Sequence, residues 1–287
     1  MGFAVVGHVE WVEFVRVQRL AASGEIVHGT ESFEEPAGGG GVAAVQLARL
    51  AGGEAQLFTA LGNDDLARRA RERLEELGVR VHSAVRASLT RRALTFVDAS
   101  GERTITTIGE RLAPRIEDEL PWDLLAGADG VYFTAGDPGA LRAARGARVL
   151  VATPRAGAVL TEAGIDIDAV VFSDEDEQER AAAMELTPRP ALLVATRGAA
   201  GGSYSAPDGA TGTWEAAPPP GPIIDSYGSG DSFAAALCWA LAEGRNPADS
   251  LGVAARAGAF GLTGRGPYGR QLTGAEATMT PGSRDAS

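Results

Sequence analysis

Two glycines and an aspartate near the C-terminus form the group of residues with the clearest chemical potential. Residues 223–233 (IIDSYGSGDSF) read as a strand-like entry, a Gly-x-Gly turn and the start of a helix, because the apolar residues that follow recur at helical spacing. Gly228 and Gly230 then lie at a helix N-terminus, where free backbone N–H groups and the helix dipole favour an anion. Asp231 falls in the first helical turn, beside this anion site.

This arrangement suits phosphoryl transfer. The carboxylate of Asp231 can accept the proton of an attacking hydroxyl group. The amides of Gly228, Ser229 and Gly230 can hold the negative charge that develops on a transferred phosphoryl group, and the missing Cβ atoms let the backbone approach it closely. The local pattern also fits a simpler alternative, in which Asp231 only caps a helix after a glycine turn.

The composition limits the chemistry further. The chain has 287 residues and a formal net charge of −12, so its surface repels nucleic acid. All 26 basic residues are arginines, which excludes a Walker-A lysine, a Schiff-base lysine and the strand lysine of a protein kinase. A protein of this composition that handles phosphate must do so with backbone amides, arginines and carboxylates.

A transmembrane helix, a signal peptide and two kinds of zinc site are also excluded. No apolar stretch reaches the ~20 residues that span a bilayer, and Glu10 and Glu13 come too early for a signal peptide. The three histidines form no HExxH pair, and the single cysteine, Cys238, excludes a multi-cysteine zinc site. We expect a cytoplasmic protein.

Short apolar runs that alternate with helical stretches predict the α/β fold that positions these residues. Runs typical of buried strands lie at residues 4–6, 56–61, 131–133, 149–151, 169–172 and 192–194. Helical patterns occur at residues 42–51 and 66–77. This order predicts a mostly parallel central sheet with helices on both faces.

Two segments interrupt the alternation. Residues 9–36 contain β-leaning stretches without a clear helix, and residues 91–108 read as a hairpin with a turn at residues 100–101. We expect both to form extra strands outside the main sheet, as a small β lid near the strand ends where open α/β sheets bind ligands. A single domain over residues 1–272 and a loose tail over residues 273–287 complete the predicted organisation.

Residues 225–231 (DSYGSGD) resemble the D-T-x-G-A-G-D signature of the ribokinase-like (PfkB) carbohydrate kinases, with Ser226 and Ser229 in place of threonine and alanine. Further motifs of this family occur in the usual order: residues 37–41 (AGGGG), 62–64 (GND), 174–177 (DEDE, similar to N-x-x-E) and 195–202 (ATRGAAGG, similar to T-x-G-x-x-G). The resemblance spans roughly residues 4–268. It implies a ribokinase-like three-layer fold, with a mostly parallel central sheet flanked by helices and a small β lid.

The resemblance implies an ATP-dependent kinase that transfers the γ-phosphate to a hydroxyl of a small, sugar-like substrate. Asp231 would be the base that activates this hydroxyl, and the amides of residues 228–230 would form the anion hole. Four residues of the T-x-G-x-x-G segment would bind the nucleotide: Thr196, Arg197, Gly198 and Gly201. A nucleoside kinase, and a non-catalytic ligand-binding or regulatory protein on the same fold, stay open as alternatives.

Cofactors, substrate contacts and a partner follow from the same resemblance. It implies Mg²⁺, with Glu177 acting near the ion through water, and it places Asp225 and Ser226 where family members can hold a monovalent cation such as K⁺. It implies substrate binding by Glu10 and by the glycines of the AGGGG motif, Gly38, Gly39 and Gly40. Family members often dimerise through the lid, so a homodimer is expected to cover its open edges.

The substrate side departs from the family pattern. Where the family commonly has polar residues that bind substrate hydroxyls, this chain has Glu10, Val12 and Val42. The apolar residues at two of these positions predict strong rejection of ribose and leave open whether sugar binding is changed or abolished. A dinucleotide-dependent oxidoreductase is the weakest alternative, because no G-x-G-x-x-G follows the first strand.

Several neighbouring residues have a functional and a structural interpretation. Arg91, Arg92 and Arg103 are candidates for contacts from the lid to phosphate, with solvated surface positions as the simpler alternative. Trp11 could stack on a substrate ring or face the core. His8 is expected to be structural rather than catalytic.

Overall fold

The computed structural model describes residues 2–279, which form the strands and helices listed here. The strands are β1 Phe3–Val6, β2 Glu10–Arg16, β3 Glu31–Ala37, β4 Ala55–Leu61, β5 Val79–Val85, β6 Arg92–Val97, β7 Arg103–Ile108, β8 Gly130–Phe133, β9 Val149–Ala152, β10 Ala169–Ser173, β11 Leu193–Thr196, β12 Gly202–Ser205 and β13 Thr211–Trp214. The α-helices are α1 Gly38–Ala51, α2 Asp65–Glu76, α3 Pro138–Ala144, α4 Val159–Ala163, α5 Glu177–Met184, α6 Ser229–Ala242, α7 Pro247–Gly261 and α8 Gly274–Thr278.

The larger of two sheets carries the predicted alternation of strands and helices. Within residues 2–279 it has nine strands in the order β13-β12-β11-β10-β9-β8-β1-β4-β5. The strands from β11 to β5 are parallel, and β12 and β13 form an antiparallel hairpin at one edge. The predicted mostly parallel sheet is therefore confirmed.

Successive residues of β1 point into two separate hydrophobic cores, because side chains alternate across a strand. Phe3 and Val5 join the core that contains α1, α6 and α7, whereas Ala4 and Val6 join the core that contains α3, α4 and α5. Helices cover both faces of the sheet, as predicted. This two-sided burial explains why the central strands read as uninterrupted apolar runs.

The two segments that interrupt the alternation pair with each other in the second sheet, which we call the lid. Its strand order is β3-β2-β6-β7, with β2 antiparallel to β3 and parallel to β6. Phe14 of β2 stacks on Phe33 of β3 with ring centroids 4.8 Å apart, and it meets the ring of Tyr227 edge-on at 5.0 Å. These contacts seat the lid against the residues that precede α6.

Some local predictions differ from the structure. The helix predicted over residues 42–51 begins four residues earlier, at Gly38, and Ile223 precedes α6 without forming a strand. The prediction of a loose tail from residue 273 is wrong for residues 273–279, because Thr273 and Glu276 cap α8 reciprocally. Residues 280–287 lie outside the described residues. No helix over residues 2–279 has the length and apolar character needed to cross a membrane.

Candidate active site

A cavity of about 620 Å³ lies between the lid and the carboxyl ends of the central strands. His8 follows β1, Thr134 follows β8 and Arg155 follows β9, so three neighbouring strands deliver side chains to the same place. The chain leaves β1 toward β4 and β5 and later returns to its other side at β8. Open α/β sheets form a ligand crevice at such a reversal of strand order.

Asp231 faces this cavity from the first turn of α6. Its carboxylate forms no hydrogen bond with any residue in the described part of the chain, so both oxygens are available to a ligand. Burial raises the pKa of Asp231, and the positive charges of Arg155 and Arg103 oppose that shift. A carboxylate with a raised pKa is a better proton acceptor than an ordinary aspartate.

Free backbone donors lie beside this carboxylate. The amide of Ser229 makes only a long contact of 3.4 Å to the carbonyl oxygen of Ser226, and the amides of Gly230 and Asp231 have no protein acceptor within residues 2–279. The turn depends on Gly228, which has a φ of 77°, and a Cβ atom there would lie 2.8 Å from Cγ1 of Val42. The start of α6 therefore presents unpaired N–H groups, as an anion site requires.

The glycines predicted to bind substrate form the first turn of α1 and are buried. Gly38 and Gly39 line the cavity, whereas Gly40 packs behind it against the carbonyl oxygen of His8. A Cβ atom at Gly40 would lie 2.7 Å from that oxygen. The motif thus lets α1 start directly against the end of β1, which a flexible loop would not do.

Arginines line the cavity on two sides. Arg155 pairs with Glu179 at 2.5 Å between Nε and Oε1, and the other oxygen of Glu179 accepts from the amide of Ser173 at 3.0 Å. Arg103 donates from the lid to both oxygens of Ser226, at 2.8 Å to the carbonyl and 2.9 Å to Oγ. Both guanidinium groups, and that of Arg111, oppose the rise in the pKa of Asp231 that burial causes.

A second group of residues that line the cavity, which we call the second wall, combines two more arginines with Glu10 and His8. Nε of Arg91 lies 3.4 Å from Oε2 of Glu10, whose other oxygen accepts from the hydroxyl of Tyr227 at 3.3 Å. Arg111 donates to Nδ1 of His8 at 3.1 Å. Burial, followed by the charges of Arg111 and Arg91, holds the pKa of His8 well below its usual value, so this imidazole is neutral near pH 7.

The predicted nucleotide residues lie at the end of β11, outside the lining of this cavity. Thr196 donates its hydroxyl to the carbonyl of Phe172 at 3.2 Å. Gly198 begins an exposed 3₁₀ turn, and Gly201 closes it with a φ of 76°. Arg197 reaches across to Asp174 at 2.8 Å, so this ion pair joins two of the sequence motifs.

The predicted metal residues are dispersed. Glu177 is exposed at the start of α5 and does not line the cavity, although its neighbours Asp176 and Glu179 do. Asp225 is buried, and its carboxylate accepts from the amides of Tyr227 at 2.9 Å and Gly266 at 3.2 Å. Over residues 2–279, no group of three or more His, Cys, Asp or Glu side chains is arranged to hold a metal ion.

The two apolar substitutions that the sequence places at the substrate site lie outside it. Val12 and Val42 are fully buried in the core and do not line the cavity. Trp11 is also buried, with the guanidinium of Arg69 4.3 Å from its ring centroid, which excludes stacking on a ligand in this conformation. The predicted loss of sugar contacts at these positions therefore has no structural basis.

The sequence of this chain matches the family model described as pfkB family carbohydrate kinase over residues 3–165 and 156–272. The chain belongs to the pfkB family of carbohydrate kinases. As a member of this family, it is a phosphotransferase that acts on a hydroxyl acceptor. A comparison with curated proteins gave no match.

The ribokinase-like fold of this pfkB family member is also found in solved structures. Ribokinase from Thermotoga maritima matches with a TM-score of 0.76 and 20% identity, over 96% of this chain and 98% of that one. Arabidopsis thaliana ribokinase, complexed with ribose and ATP, matches with a TM-score of 0.74 and 19% identity, over 96% of this chain and 97% of that one. Phosphofructokinase-2 from Escherichia coli, in complex with substrates and products, matches with a TM-score of 0.72 and 18% identity, over 96% of each chain.

Sequence reasoning missed several residues that line the cavity of this kinase. Thr134 comes immediately after one predicted strand and Arg155 a few residues after another, so the rule that ligands bind at the carboxyl ends of parallel strands was enough to find them. Arg111 and Tyr227 carry no comparable signal on their own. Of the three lid arginines, Arg91 and Arg103 line the cavity, and Arg92 is exposed.

Proposed function

We propose that this protein is an ATP-dependent kinase in which Asp231 activates a hydroxyl of a small, sugar-like substrate. The observation that carries the proposal is the pairing of a carboxylate without a protein hydrogen bond and unpaired amides in the same helical turn. Gly228, at the start of this turn, and Asp231 both line the cavity. A helix cap would occupy its own carboxylate with backbone N–H groups, as Asp64 and Asp176 do in α2 and α5.

The reaction follows from these positions. The acceptor hydroxyl gives its proton to Asp231 while its oxygen attacks the γ-phosphorus, and the bond from that phosphorus to the oxygen it shares with the β-phosphate breaks to release ADP. The amides of residues 228–230, together with that of Asp231, stabilise charge on the phosphoryl oxygens. Arg155 and Arg103 add positive charge on the same side, as a protein without lysine requires.

Nucleotide binding by Thr196, Arg197, Gly198 and Gly201 is part of the proposal. It is supported by the fold shared with a ribokinase complexed with ribose and ATP. The segment adjoins β10, β12 and β13 near the carboxyl end of the sheet. An ATP molecule that lies along this edge would extend its phosphates toward the start of α6.

The donors near the cavity fit Mg²⁺ carried by a nucleotide. Asp176 lines it, and only one of its carboxylate oxygens, Oδ1, accepts from backbone amides, whereas both oxygens of Glu179 are already bonded, to Arg155 and to the amide of Ser173. Mg²⁺ is commonly held by one or two carboxylates, substrate phosphates and water. Asp176 would hold the ion, with Glu177 acting through water. When bound, Mg²⁺ neutralises phosphate charge.

A monovalent cation at Asp225 and Ser226 fits the contacts less well. The Asp225 carboxylate already accepts two amides, and the Arg103 guanidinium donates to both oxygens of Ser226. The proposed reaction therefore does not use potassium.

The proposal extends to location and assembly. An enzyme that consumes ATP would act in the cytoplasm, where ATP is supplied. A homodimer would cover the edge strand β7, on which Ile108 is 46% exposed. Light scattering at micromolar concentration tests this assembly, and a monomer mass would contradict it.

The test of function is ADP release by the full-length protein with ATP, Mg²⁺ and a panel of sugars, sugar derivatives, polyols and nucleosides. We expect ADP and phosphorylated product in equal amounts with one class of acceptor. Asp231→Asn should lower kcat by about 10²-fold or more, because it keeps the shape of the side chain and removes the proton acceptor.

Asp65→Asn is the matched control, since Asp65 also lies in the first turn of a helix but is exposed and far from the cavity lining. It should leave kcat unchanged. Ligand binding without ADP release from any acceptor would favour the non-catalytic alternative, and wild-type kcat in Asp231→Asn would contradict the assignment of the base.

A further inference from the structure

The cavity has a second positively charged wall that the proposed phosphoryl transfer leaves unused. Arg155 and Arg103 lie beside Asp231 and the free amides, where the transferred phosphoryl group would be held. Arg91 and Arg111 belong to the wall that contains Glu10 and His8. In a chain with a net charge of −12, two arginines converging on an acceptor pocket need an explanation.

Arg91 has hydrogen-bond capacity that the protein does not use. Only 17% of its side chain is exposed, yet its guanidinium forms no hydrogen bond with any residue of the described chain. Its closest charged neighbour is Glu10, at 3.4 Å from Nε, beyond good hydrogen-bond geometry for a charged pair. Buried guanidinium groups normally satisfy their donors with carboxylate, phosphate or carbonyl oxygens.

Arg111 is held in place without a counter-ion. It donates to the carbonyl oxygens of Thr134 and Arg155, each at 2.8 Å, and to Nδ1 of His8 at 3.1 Å. No carboxylate within residues 2–279 lies within 4.0 Å of it, and its buried Nε has no partner. These neutral acceptors fix the guanidinium in place. Its charge is balanced only from beyond ion-pair distance, by Glu10 and Asp231.

The remaining titratable groups on this wall do not supply the missing negative charge. His8 is neutral, and the carboxylate of Glu10 is shared between Arg91 and the hydroxyl of Tyr227. Asp176 and Glu179 belong to α5, where Arg155 pairs with Glu179 and Asp176 caps the helix. The wall thus carries two guanidinium groups and one carboxylate, and burial of an unpaired charge is costly unless a ligand pairs with it.

We propose that the acceptor substrate carries an anionic group, either a phosphate ester or a carboxylate, which Arg91 and Arg111 bind in the cavity that Asp231 also lines. The inference rests on the proposed function, because it concerns the acceptor of that reaction. A cavity of about 620 Å³ has room for a sugar-sized molecule together with such a substituent. Glu10, Gly38 and Tyr227 line the same cavity, where they would contact the hydroxyls of the same molecule.

The test compares matched acceptors that differ in charge, assayed with the full-length protein. Fructose, glucose and ribose form the neutral arm, their phosphate monoesters form the phosphate arm, and gluconate and 2-keto-3-deoxygluconate form the carboxylate arm. We expect kcat/KM to be about 10²-fold or more higher in one anionic arm than in the neutral arm, because charged hydrogen bonds discriminate strongly. The arm whose compounds are phosphorylated identifies the anionic group.

Adjacent arginines provide a matched pair of variants. Arg91→Met should lower kcat/KM for the anionic acceptor by about 10²-fold and for any neutral acceptor by less than threefold, and Arg91→Lys should recover part of the loss. Arg92→Met should change neither, because Arg92 is exposed and lies outside the cavity lining. Equal kcat/KM for neutral and anionic acceptors, or an equal loss for both in Arg91→Met, would overturn the proposal.

A binding measurement separates this inference from the proposed reaction. Calorimetric titration of Asp231→Asn with each phosphate ester and carboxylate needs no turnover. Tight binding of an anionic compound that is lost in the double variant with Arg91→Met supports the anion site even if no acceptor yields ADP. Binding that is unchanged by Arg91→Met, or stronger for the neutral sugars, refutes the anion site even if the protein proves to be a kinase.

Discussion

Gly39 of α1 and Asp231 of α6 approach so closely that a Cβ atom on Gly39 would lie 3.0 Å from Oδ1 of Asp231. The same atom would lie 2.8 Å from Oγ1 of Thr134, at the end of β8. The starts of two helices and the end of one strand thus converge on the carboxylate. A substrate hydroxyl can reach Asp231 through this point because the glycine carries no side chain.

Gly39→Ala should therefore reduce activity with little effect on folding. The added methyl group would crowd both Asp231 and Thr134, and small displacements of a reacting group are costly to the rate. We expect kcat/KM to fall by about tenfold or more, measured as ADP release. Gly53→Ala, which has no atom within 4 Å of the new Cβ, is the control and should keep wild-type activity. Equal activity of the two variants would contradict this account.

The contacts of Arg103 lead to a prediction about potassium. Because its guanidinium donates to both oxygens of Ser226, a positive charge already stands where the sequence places a monovalent cation. We expect kcat to differ by less than twofold between potassium and tetramethylammonium salts at equal ionic strength. A severalfold higher rate in potassium would show that the Asp225 region binds the ion despite these contacts.

Much of the fold could be predicted because the central strands are buried on both faces and read as short apolar runs. Local sequence patterns predicted the structure less well where tertiary packing overrides the intrinsic conformational preference of the residues. Glycine is a poor helix former, so residues 38–41 did not read as helix, yet they form the first turn of α1 because only they fit against β1 and α6. The capping signal at Thr273 and Glu276 was present in the sequence and indicates the helix that the tail forms.

The candidate site also has one part that the sequence predicts and another that only the fold brings together. Asp231 and the turn at Gly228 are encoded in one short segment, so their proximity follows from local geometry. Arg111 and Arg155 come together with Asp231 only because β1, β8 and β9 are adjacent in the sheet, and that order is not visible in any one motif. Val12 was misplaced because it lies two residues beyond Glu10 on β2, yet it is fully buried in the core instead of lining the cavity.

The T-x-G-x-x-G segment should depend on Gly201 for its shape. Gly201 has a φ of 76°, and a Cβ atom there would overlap the carbonyl oxygen of Trp214 in β13. Gly201→Ala should lower Tm by about 2–4 °C or more and raise the KM for ATP, because the turn would have to move. Gly209 has a similar φ of 88°, but its Cβ position is surrounded by open space. Gly209→Ala therefore measures the cost of the positive φ alone, and the difference between the two variants gives the cost of the overlap. Equal changes in both variants would assign the effect to backbone conformation alone.

The raised pKa of Asp231 also predicts a pH-dependent effect on stability. Because burial raises the pKa in the folded state above the unfolded value of about 3.9, the folded protein holds this proton more tightly, and the stability that Asp231 contributes is lost as pH rises through the folded pKa. Asp231→Asn removes the buried charge. At pH 7 its Tm should exceed that of the wild type, by about 2 °C.

This difference should shrink toward zero as the pH falls below the unfolded pKa, where the wild-type carboxyl is protonated in both states. Asp225 also has a raised pKa, but Asp231 is not among its causes, so its contribution is the same in both proteins. The pKa of Glu10 is raised in part by Asp231, so the loss of that charge adds to the gain in the variant. Paired thermal unfolding at pH 7 and at about pH 3 measures the effect. A variant that is less stable than the wild type at pH 7 would mean that the Asp231 carboxylate is stabilised in the fold, for example by the charge of Arg155, more than burial destabilises it.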